Sequence, residues 1–353
     1  VVALAGLLGK GGMGVVNVGE QLSLQRTVAV KRPRPGVGGT RARGQLMREA
    51  VVTGALDHPN IVPVYDLARD EGDRPLLVMK RIEGQSWEEA LLKRPQVDDS
   101  RWQPWLQAQL EILIQVCNAV AYAHDRGVLH RDIKPDNIML GAFGEVLLLD
   151  WGVARTVGDV TEVVASETIE KLTVARTMDG AAIGTPGFMS PEQSRGDLHL
   201  LDGRSDVWSL GAVLYELLTL QPAYEAPNLY ALMFAVASGP PTDPRERAPE
   251  RHIPEELSEL CLQAMAAERA ERFATASELG SAVEAFLEGS KRREAALRHV
   301  AEAEAAWARY GALATEREEL VAREKALDDA LESWASLEEK AELRATRRRL
   351  GAI

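Results

Sequence analysis

The sequence predicts an α+β chain in which a small β-rich region precedes a larger helical region and then a charged helical extension. In the first third, short apolar runs alternate with turn residues, which is typical of β-strands. From Ser86 onward, apolar residues recur at the three- and four-residue spacing of amphipathic helices. After Gly289, proline is absent and alanine, glutamate, arginine and leucine dominate, which indicates a further helical segment.

The β-rich region is predicted to contain five strands and one helix. The strands are predicted at residues 1–8, 15–20, 27–31, 61–67 and 75–82. A stretch rich in proline and glycine at 33–39 separates the third strand from the helix, which is predicted at 41–56. Leu46, Ala50 and Thr53 with Gly54 recur in it at helical spacing.

The helical region is predicted from five apolar stripes. A long amphipathic helix is expected at 105–125, where Leu106, Leu110, Leu113 and Cys117 share one face. Further helices are predicted at 206–220, 226–238, 255–267 and 276–288. The apolar run 207–220 is shorter than the roughly 18 residues that cross a bilayer, so it predicts a buried core helix instead.

Composition excludes several classes of protein. The chain has 353 residues and a net charge of −12, which argues against a general binder of nucleic acid or of anionic membranes. Only Cys117 and Cys261 are present, which excludes a disulfide framework and is typical of a reducing cytoplasm. With no signal peptide or membrane segment predicted, a cytoplasmic location is expected.

The extension at 289–353 has balanced charge, with 13 basic and 13 acidic residues in 290–350. Leu313, Leu320, Leu327 and Trp334 are seven residues apart and would form one apolar seam if 310–340 were a single helix. This weak heptad pattern leaves two alternatives open, a solvated spacer or a coiled coil that joins two copies of the chain. Upstream, Leu297, Val300 and Trp307 do not share that register, so a stutter or a separate short helix is expected.

Several motifs carry chemistry. A glycine loop spans 9–16, where small residues let backbone N–H groups approach phosphate oxygens, although such loops are often only hairpin turns. Lys31 ends a predicted strand and Glu49 lies in the following helix, a pair that is either surface decoration or part of a site. Three motifs follow: HRDIKPDN at 130–137, DWG at 150–152, and GTP at 184–186 followed by SPE at 190–192.

In this order the motifs resemble those of the eukaryotic-like (Hanks-type) bacterial serine/threonine protein kinases, over residues 1–288. The resemblance implies a two-lobed kinase fold, with a β-rich N-lobe at 1–82 and a helical C-lobe at 83–288, followed by the extension. It implies ATP and Mg²⁺ as cofactors and protein substrates phosphorylated on serine or threonine in bacterial signalling. It also implies a buried ion pair between Glu192 and Arg272.

The resemblance implies roles for individual residues. Lys31 should bind the α- and β-phosphates and be held by Glu49, while Asn137 and Asp150 should hold Mg²⁺. Asp132 should orient the substrate hydroxyl or accept its proton, and Lys134 should neutralise the moving phosphoryl group. Nucleotide contacts are implied for Gly9, Lys10, Gly11, Gly14, Val16, Ala29, Met79 and Met139.

The sequence departs from the family pattern in the second motif, where Trp151 replaces the usual phenylalanine. Either the ring is simply tolerated, or the small Thr53 makes room for it. The segment from Asp150 to Glu192 is rich in threonine, and Thr173 or Thr177 is predicted to be autophosphorylated and to face Arg131. A catalytically poor scaffold and a metabolite kinase are the alternatives; the complete motif set and the segment 184–192 disfavour them.

Overall fold

The computed structural model describes residues 2–11, 14–34, 39–95, 101–151, 154–156, 186–332 and 334–353. The chain divides into two compact units, Val1–Leu287 and Glu288–Ile353. Among the residues described, no helix is both long and apolar enough to cross a membrane.

The N-terminal part of the first unit is an antiparallel sheet. Its strands are β1 (Val2–Gly11), β2 (Gly14–Gln21), β3 (Arg26–Arg32), β4 (Val64–Arg69) and β5 (Pro75–Lys80), in the order β1-β2-β3-β5-β4. Helix α1 (Gly39–Gly54) packs on this sheet, and its Leu46 and Ala50 share a buried cluster with Leu77 of β5. The helix predicted at 41–56 is therefore confirmed, and its buried face lies against the sheet.

The remainder of the first unit is mainly helical. Its helices are α2 (Trp87–Leu92), α3 (Trp102–Asp125), α4 (Pro191–Arg195), α5 (Gly203–Thr219), α6 (Leu229–Ser238), α7 (Pro244–Arg247) and α8 (Glu255–Ala264). Short strands β6 (Gly84–Ser86), β7 (Val128–Leu129), β8 (Ile138–Gly141), β9 (Val146–Leu148) and β10 (Arg155–Thr156) form two small sheets. The buried faces of α3 and α5 form the centre of the main core, so the core helix predicted at 207–220 is confirmed.

Several element boundaries differ from those predicted, for local reasons. Strand β4 begins at Val64 rather than residue 61, because Ile61 instead forms a single bridge with Leu148 of β9. Helix α6 begins at Leu229 rather than residue 226, because Asn228 caps it by accepting a hydrogen bond from the Ala231 N–H. Helix α2 and strands β6–β9 were not predicted, since such short elements leave little periodicity to read.

Residues 310–340 are not a single helix, so the condition for the seam of Leu313, Leu320, Leu327 and Trp334 is not met. Helix α9 (Ala276–Ala330) ends before a turn, and α10 (Ala341–Leu350) runs back along it. The returning helix is held by ion pairs: Arg347 Nε lies 2.7 Å from Glu324, and Arg349 contacts Glu316.

This fold-back also changes the predicted seam. Leu320 is only 8% exposed and Leu343 of α10 only 5%, whereas Trp334 is 80% exposed. Leu320 is therefore covered within its own unit, and Leu313, Leu320, Leu327 and Trp334 do not form a single exposed stripe.

Candidate functional site

A cleft lies between the N-terminal sheet and the loops that precede and follow β8 and β9. Its walls bring together residues that are distant in sequence. The lining residues are Gly14, Val16, Lys31, Glu49, Thr53, Val62, Val64, Leu77, Met79, Asn137, Leu149 and Asp150. Seven of the residues predicted as site residues, together with Thr53, thus lie on one surface.

Lys31 joins the two sides of this cleft. Its Nζ donates to Glu49 Oε1 at 2.6 Å and to Asp150 Oδ1 at 3.1 Å. Burial alone would lower the pKa of Lys31, but the charges of Asp150 and Glu49 outweigh it and hold that pKa above its ordinary value. Lys31 is therefore a fixed cation at the back of the cleft.

The other two members of this group are carboxylates. The pKa of Asp150 lies below its usual value, because the nearby Lys31 cation outweighs the effect of burial. Glu49 is 5% exposed, and the anchoring of Leu46 and Ala50 fixes the helix face from which it reaches Lys31. Lys31 lies opposite Val16 in the β2–β3 ladder, so the sheet positions the cation.

The loop before β8 arranges a second polar group. Lys134 Nζ lies 3.0 Å from Asp132 Oδ2, and Asn137 Nδ2 donates to the same oxygen at 2.9 Å and to the Asp132 carbonyl at 2.7 Å. The side-chain nitrogen of Asn137 donates to Asp132. The side-chain oxygen of Asn137 is therefore the end of the amide that can bind a cation. The structure thus brings together three residues predicted from the HRDIKPDN motif.

Asp206, in helix α5, holds the backbone of this loop. No role was predicted for it from the sequence. It is fully buried and accepts hydrogen bonds from the backbone N–H groups of His130 at 2.8 Å and Arg131 at 2.7 Å. Its other contact is with His124 Nε2 at 2.7 Å. Burial raises the pKa of Asp206, but the contacts with His124 and the loop outweigh this and leave it below its usual value.

These contacts hold a strained backbone in place. Arg131 and Asp150 both have positive φ, 67° and 60°, a region that non-glycine residues seldom adopt. The His130 ring links the two, since its Nδ1 accepts from the Asp132 N–H and its Nε2 lies 2.9 Å from the Leu149 carbonyl. In the sequence, the run Asp-Val-Trp at 206–208 was the feature that could have marked Asp206, whereas His124 carried no such signal.

Comparisons with known proteins show which family the chain belongs to. The sequence matches the family described as protein kinase domain over residues 3–282, most of the chain. The chain belongs to the protein kinase family. The predicted membership of the Hanks-type bacterial serine/threonine kinases is confirmed by this match and by its relatives.

The curated relatives include proteins named serine/threonine-protein kinase PknD, two of which serve as examples. The protein of Chlamydia trachomatis is 33% identical over 321 residues, which cover 86% of this chain and 33% of the relative. That of Chlamydia felis is 35% identical over 292 residues, which cover 80% and 31%. The chain thus spans about a third of the length of the curated relatives it matches.

A solved structure shares the fold. The crystal structure of the Mycobacterium tuberculosis PknI kinase domain, in a mutant form, superposes with a TM-score of 0.57. The sequence identity is 23%, and the match covers 80% of this chain and 94% of that one. The two-lobed kinase fold predicted from the motifs is therefore confirmed.

In this kinase domain the glycine loop is the β1–β2 hairpin. Gly11 pairs with Gly14, and the connecting residues 12 and 13 lie outside the described part of the chain, as does the side chain of Lys10. A Cβ at Gly14 would lie 2.5 Å from the Arg32 carbonyl oxygen, whereas one at Gly9 would meet nothing within 4 Å. Gly14 is therefore required by strand packing, whereas the described residues place no such demand on Gly9.

The predicted adenine contacts are only partly assembled. Val16 and Met79 line the cleft, and Ala29 pairs with Met79 in the β3–β5 ladder without lining it. Met139 lies on β8, opposite Leu147, and is likewise not part of the cleft surface.

Trp151 is accommodated in the main core. It is 1% exposed, and its ring lies edge-on to the His130 ring with centroids 4.5 Å apart. Thr53 is also buried and lines the cleft. The large ring thus packs beneath the loop that carries Asp132, where it supports His130.

A group of carboxylates lies on the helical side of the domain. Burial, followed by the like charges of Glu88 and Asp136, raises the pKa of Glu216 on α5 to about 7, against the opposing charge of Arg94. The pKa of Glu88 is raised as well, by burial and by Asp136. Glu216 therefore binds a proton more tightly in the folded chain than in the unfolded one.

This raised pKa predicts a pH dependence of stability. Between about 4.5 and about 7 the folded chain holds more protons than the unfolded chain, so the free energy of unfolding falls as pH rises through that window. Glu216→Gln should stabilise the domain at pH 8 by on the order of 2 kcal/mol and leave it nearly unchanged near pH 4.5. Urea unfolding at both pH values checks this. The exposed Glu259→Gln is the control, and an equal gain for both variants would contradict the assignment.

Proposed function

We propose that the chain transfers the γ-phosphoryl group of ATP to serine and threonine hydroxyls of protein substrates. The observation that carries the proposal is the pairing of Lys31 with Glu49 and Asp150 at the cleft that also holds Asn137, the partner of Asp132. Protein kinases use ATP and Mg²⁺ generally, and the names of the Chlamydia relatives agree with serine/threonine phosphorylation.

The donor set of the cleft fits Mg²⁺ bound together with nucleotide phosphates. Among the described residues, no cluster of three or more His, Cys, Asp or Glu side chains is arranged as a metal site. Mg²⁺ in kinases is usually held by one or two protein oxygens together with substrate phosphates, and Asn137 and Asp150 supply such oxygens. When bound, the ion would neutralise phosphate charge; Lys31 would contact the α- and β-phosphates, and the β1–β2 hairpin would lie over them.

The second polar group carries the proposed chemistry. Asp132 is held by Asn137 and Lys134, which fix its carboxylate so that it can orient the substrate hydroxyl and accept its proton. Lys134 carries a positive charge beside that carboxylate, where it would stabilise the charge on the moving phosphoryl group. The carboxylate of Glu49 keeps Lys31 in place, so it acts as a positioning residue.

The proposal extends to organisation and partners. We assign the kinase domain to 1–288, with lobes at 1–82 and 83–288, and the extension to 289–353. Proteins that bear serine or threonine are the proposed substrates, and a second copy of the chain is the proposed partner of the extension. The two cysteines are buried free thiols, which supports a cytoplasmic location.

The function is tested by incubating the purified chain with ATP, Mg²⁺ and a generic protein substrate. We expect Mg²⁺-dependent phosphate on serine and threonine side chains, identified by mass spectrometry, and at least roughly 100-fold less with Asp132→Asn. Binding of ATP without any transfer, under conditions where the chain is folded, would favour a catalytically poor scaffold instead.

Autophosphorylation is a separate prediction. Thr173 and Thr177 lie outside the described residues, so the prediction still rests on the sequence. A phosphate near Arg131 would add about two negative charges and new hydrogen-bond acceptors, which order such segments. We expect peptide mapping to find phosphate on Thr177 or Thr173 and Thr177→Ala to lower activity. Phosphate found only outside 150–192, with unchanged activity of the variant, would refute it.

A further inference from the structure

The first half of the extension carries an exposed apolar stripe. Along α9, Val300, Trp307 and Tyr310 are 53%, 76% and 66% exposed. Ala296, Ala303 and Ala314 fall on the same side of the helix, because residues three, four and seven apart share a face. The rings of Trp307 and Tyr310 stack on each other, with centroids 5.9 Å apart.

This stripe lies on a different side of α9 from the residues that α10 covers. Leu320 and Leu327 lie roughly 130° further around the helix, and Leu320 is buried where α10 returns along α9. The helix α10 is ten residues long, and its ion pairs reach α9 only at Glu316 and beyond. Among the described residues of this unit, the stripe at 296–314 is left uncovered.

An exposed helix that carries such a stripe is stabilised when the stripe is covered. Most helix stability in proteins comes from packing of an apolar face rather than from helix propensity. Between residues 296 and 313 every side chain of α9 is exposed. Burial of this face against a partner would therefore be favourable.

The size of the side chains fits a second copy of the same helix. Two such helices can run antiparallel with their stripes facing each other and cross at the level of residue 305, whose own side chain lies on the opposite face. Trp307 of one copy then lies level with Ala303 of the other. In the same register Val300 lies level with Tyr310. Large residues then meet small ones, which is how packed helix pairs fill the space between them.

Charge selects the antiparallel direction. Residues 291–293 are Lys-Arg-Arg, and the acidic pair Glu318 and Glu319 lies at the far end of the stripe. In the same register an antiparallel pair brings Lys291 level with Glu319 and Arg292 level with Glu318, while Arg293 lies level with Arg317. A parallel pair would instead place every one of these charges beside its own copy.

We propose that the face of Val300, Trp307 and Tyr310 binds a second copy of this chain in antiparallel orientation. The inference rests on the proposed self-association of the extension and assigns its surface and direction. It replaces the seam of Leu313, Leu320, Leu327 and Trp334 as the interface.

The surface is tested by sedimentation of the full chain over a range of concentrations. We expect the mass of two copies at high concentration, the mass of one copy for Trp307→Glu throughout, and no change for Ala305→Glu on the opposite face. Unchanged circular dichroism would show that Trp307→Glu is folded. A dimer that survives Trp307→Glu would overturn the surface while leaving self-association intact. A one-copy mass for the unmutated chain would overturn both, and neither result bears on kinase activity.

The direction is tested by cross-linking through introduced thiols. Cys117 and Cys261 are fully buried, so Arg292→Cys or Glu318→Cys supplies the reactive thiol. In an antiparallel pair the two copies of Arg292→Cys lie on the order of 40 Å apart, too far for a short bis-maleimide. We expect cross-links when the two variants are mixed and few with either alone. Equally efficient cross-linking of each variant to itself would overturn the antiparallel arrangement.

Discussion

Asp132→Asn is expected to reduce phosphoryl transfer by roughly 10²–10⁴-fold while leaving the fold intact. The amide cannot accept the substrate proton, and its NH₂ group cannot accept the hydrogen bond that Asn137 donates to the carboxylate. The side chain of Asp132 is only partly buried and lies outside the main core, so folding should be preserved. The measurement is the initial rate with saturating ATP and Mg²⁺.

Asp150→Asn provides an independent test of the same site. It removes the carboxylate that Lys31 contacts at 3.1 Å and one proposed oxygen for Mg²⁺, so activity should fall to a comparable level and ATP binding should lose its dependence on Mg²⁺. Asp125→Asn, at the exposed end of α3, is the matched control and should keep its activity. Near-normal rates for either site variant would rule out the assignment of roles.

Arg272→Ala is expected to lower the free energy of unfolding of the kinase domain by about 3–5 kcal/mol. Arg272 donates to both oxygens of Glu192, at 2.8 and 3.0 Å, and to the carbonyls of Ala266 and Arg204. Glu192 is 1% exposed, so removal of the guanidinium leaves a buried carboxylate that still accepts a hydrogen bond from Ser205. The pKa of Glu192, now held below its usual value against burial, would rise in the variant.

The control for this prediction is an exposed pair of the same chemistry. Arg69 lies 2.8 Å from Asp73, but both side chains are more than half exposed. Arg69→Ala should therefore change stability by less than about 1 kcal/mol. Urea unfolding of both variants measures the difference, and similar losses would show that the buried pair contributes no more than a surface one.

The positions of helices and strands could be predicted where the pattern of apolar residues is long. Helices α3 and α5 and the five strands of the first sheet appear within a few residues of their predicted positions, because repeating apolar residues mark a buried face. Helix α2 was missed, since its six residues hold too few repeats for a period. The break after Ala330 was missed because no proline or glycine marks it. The fold-back buries Leu320 and Leu343 and adds exposed ion pairs such as Arg347 with Glu324.

The chemical identity of the site was also determined by the sequence. Phosphoryl transfer needs a particular set of cations, carboxylates and an amide, and the order of those residues along the chain already identifies the family. Lys31 and Asp150 could therefore be named as site residues although 119 positions separate them.

The tertiary structure decided how those residues are held. Asp206 supports the loop of Asp132 through two backbone N–H groups, contacts that no local pattern encodes. The raised pKa of Glu216 and the burial of Leu320 likewise arise from side chains brought near by packing. Periodicity and motif order are local properties that a sequence displays directly. Burial and the neighbours of a charge depend on which distant segments pack together, so only the folded chain reveals them.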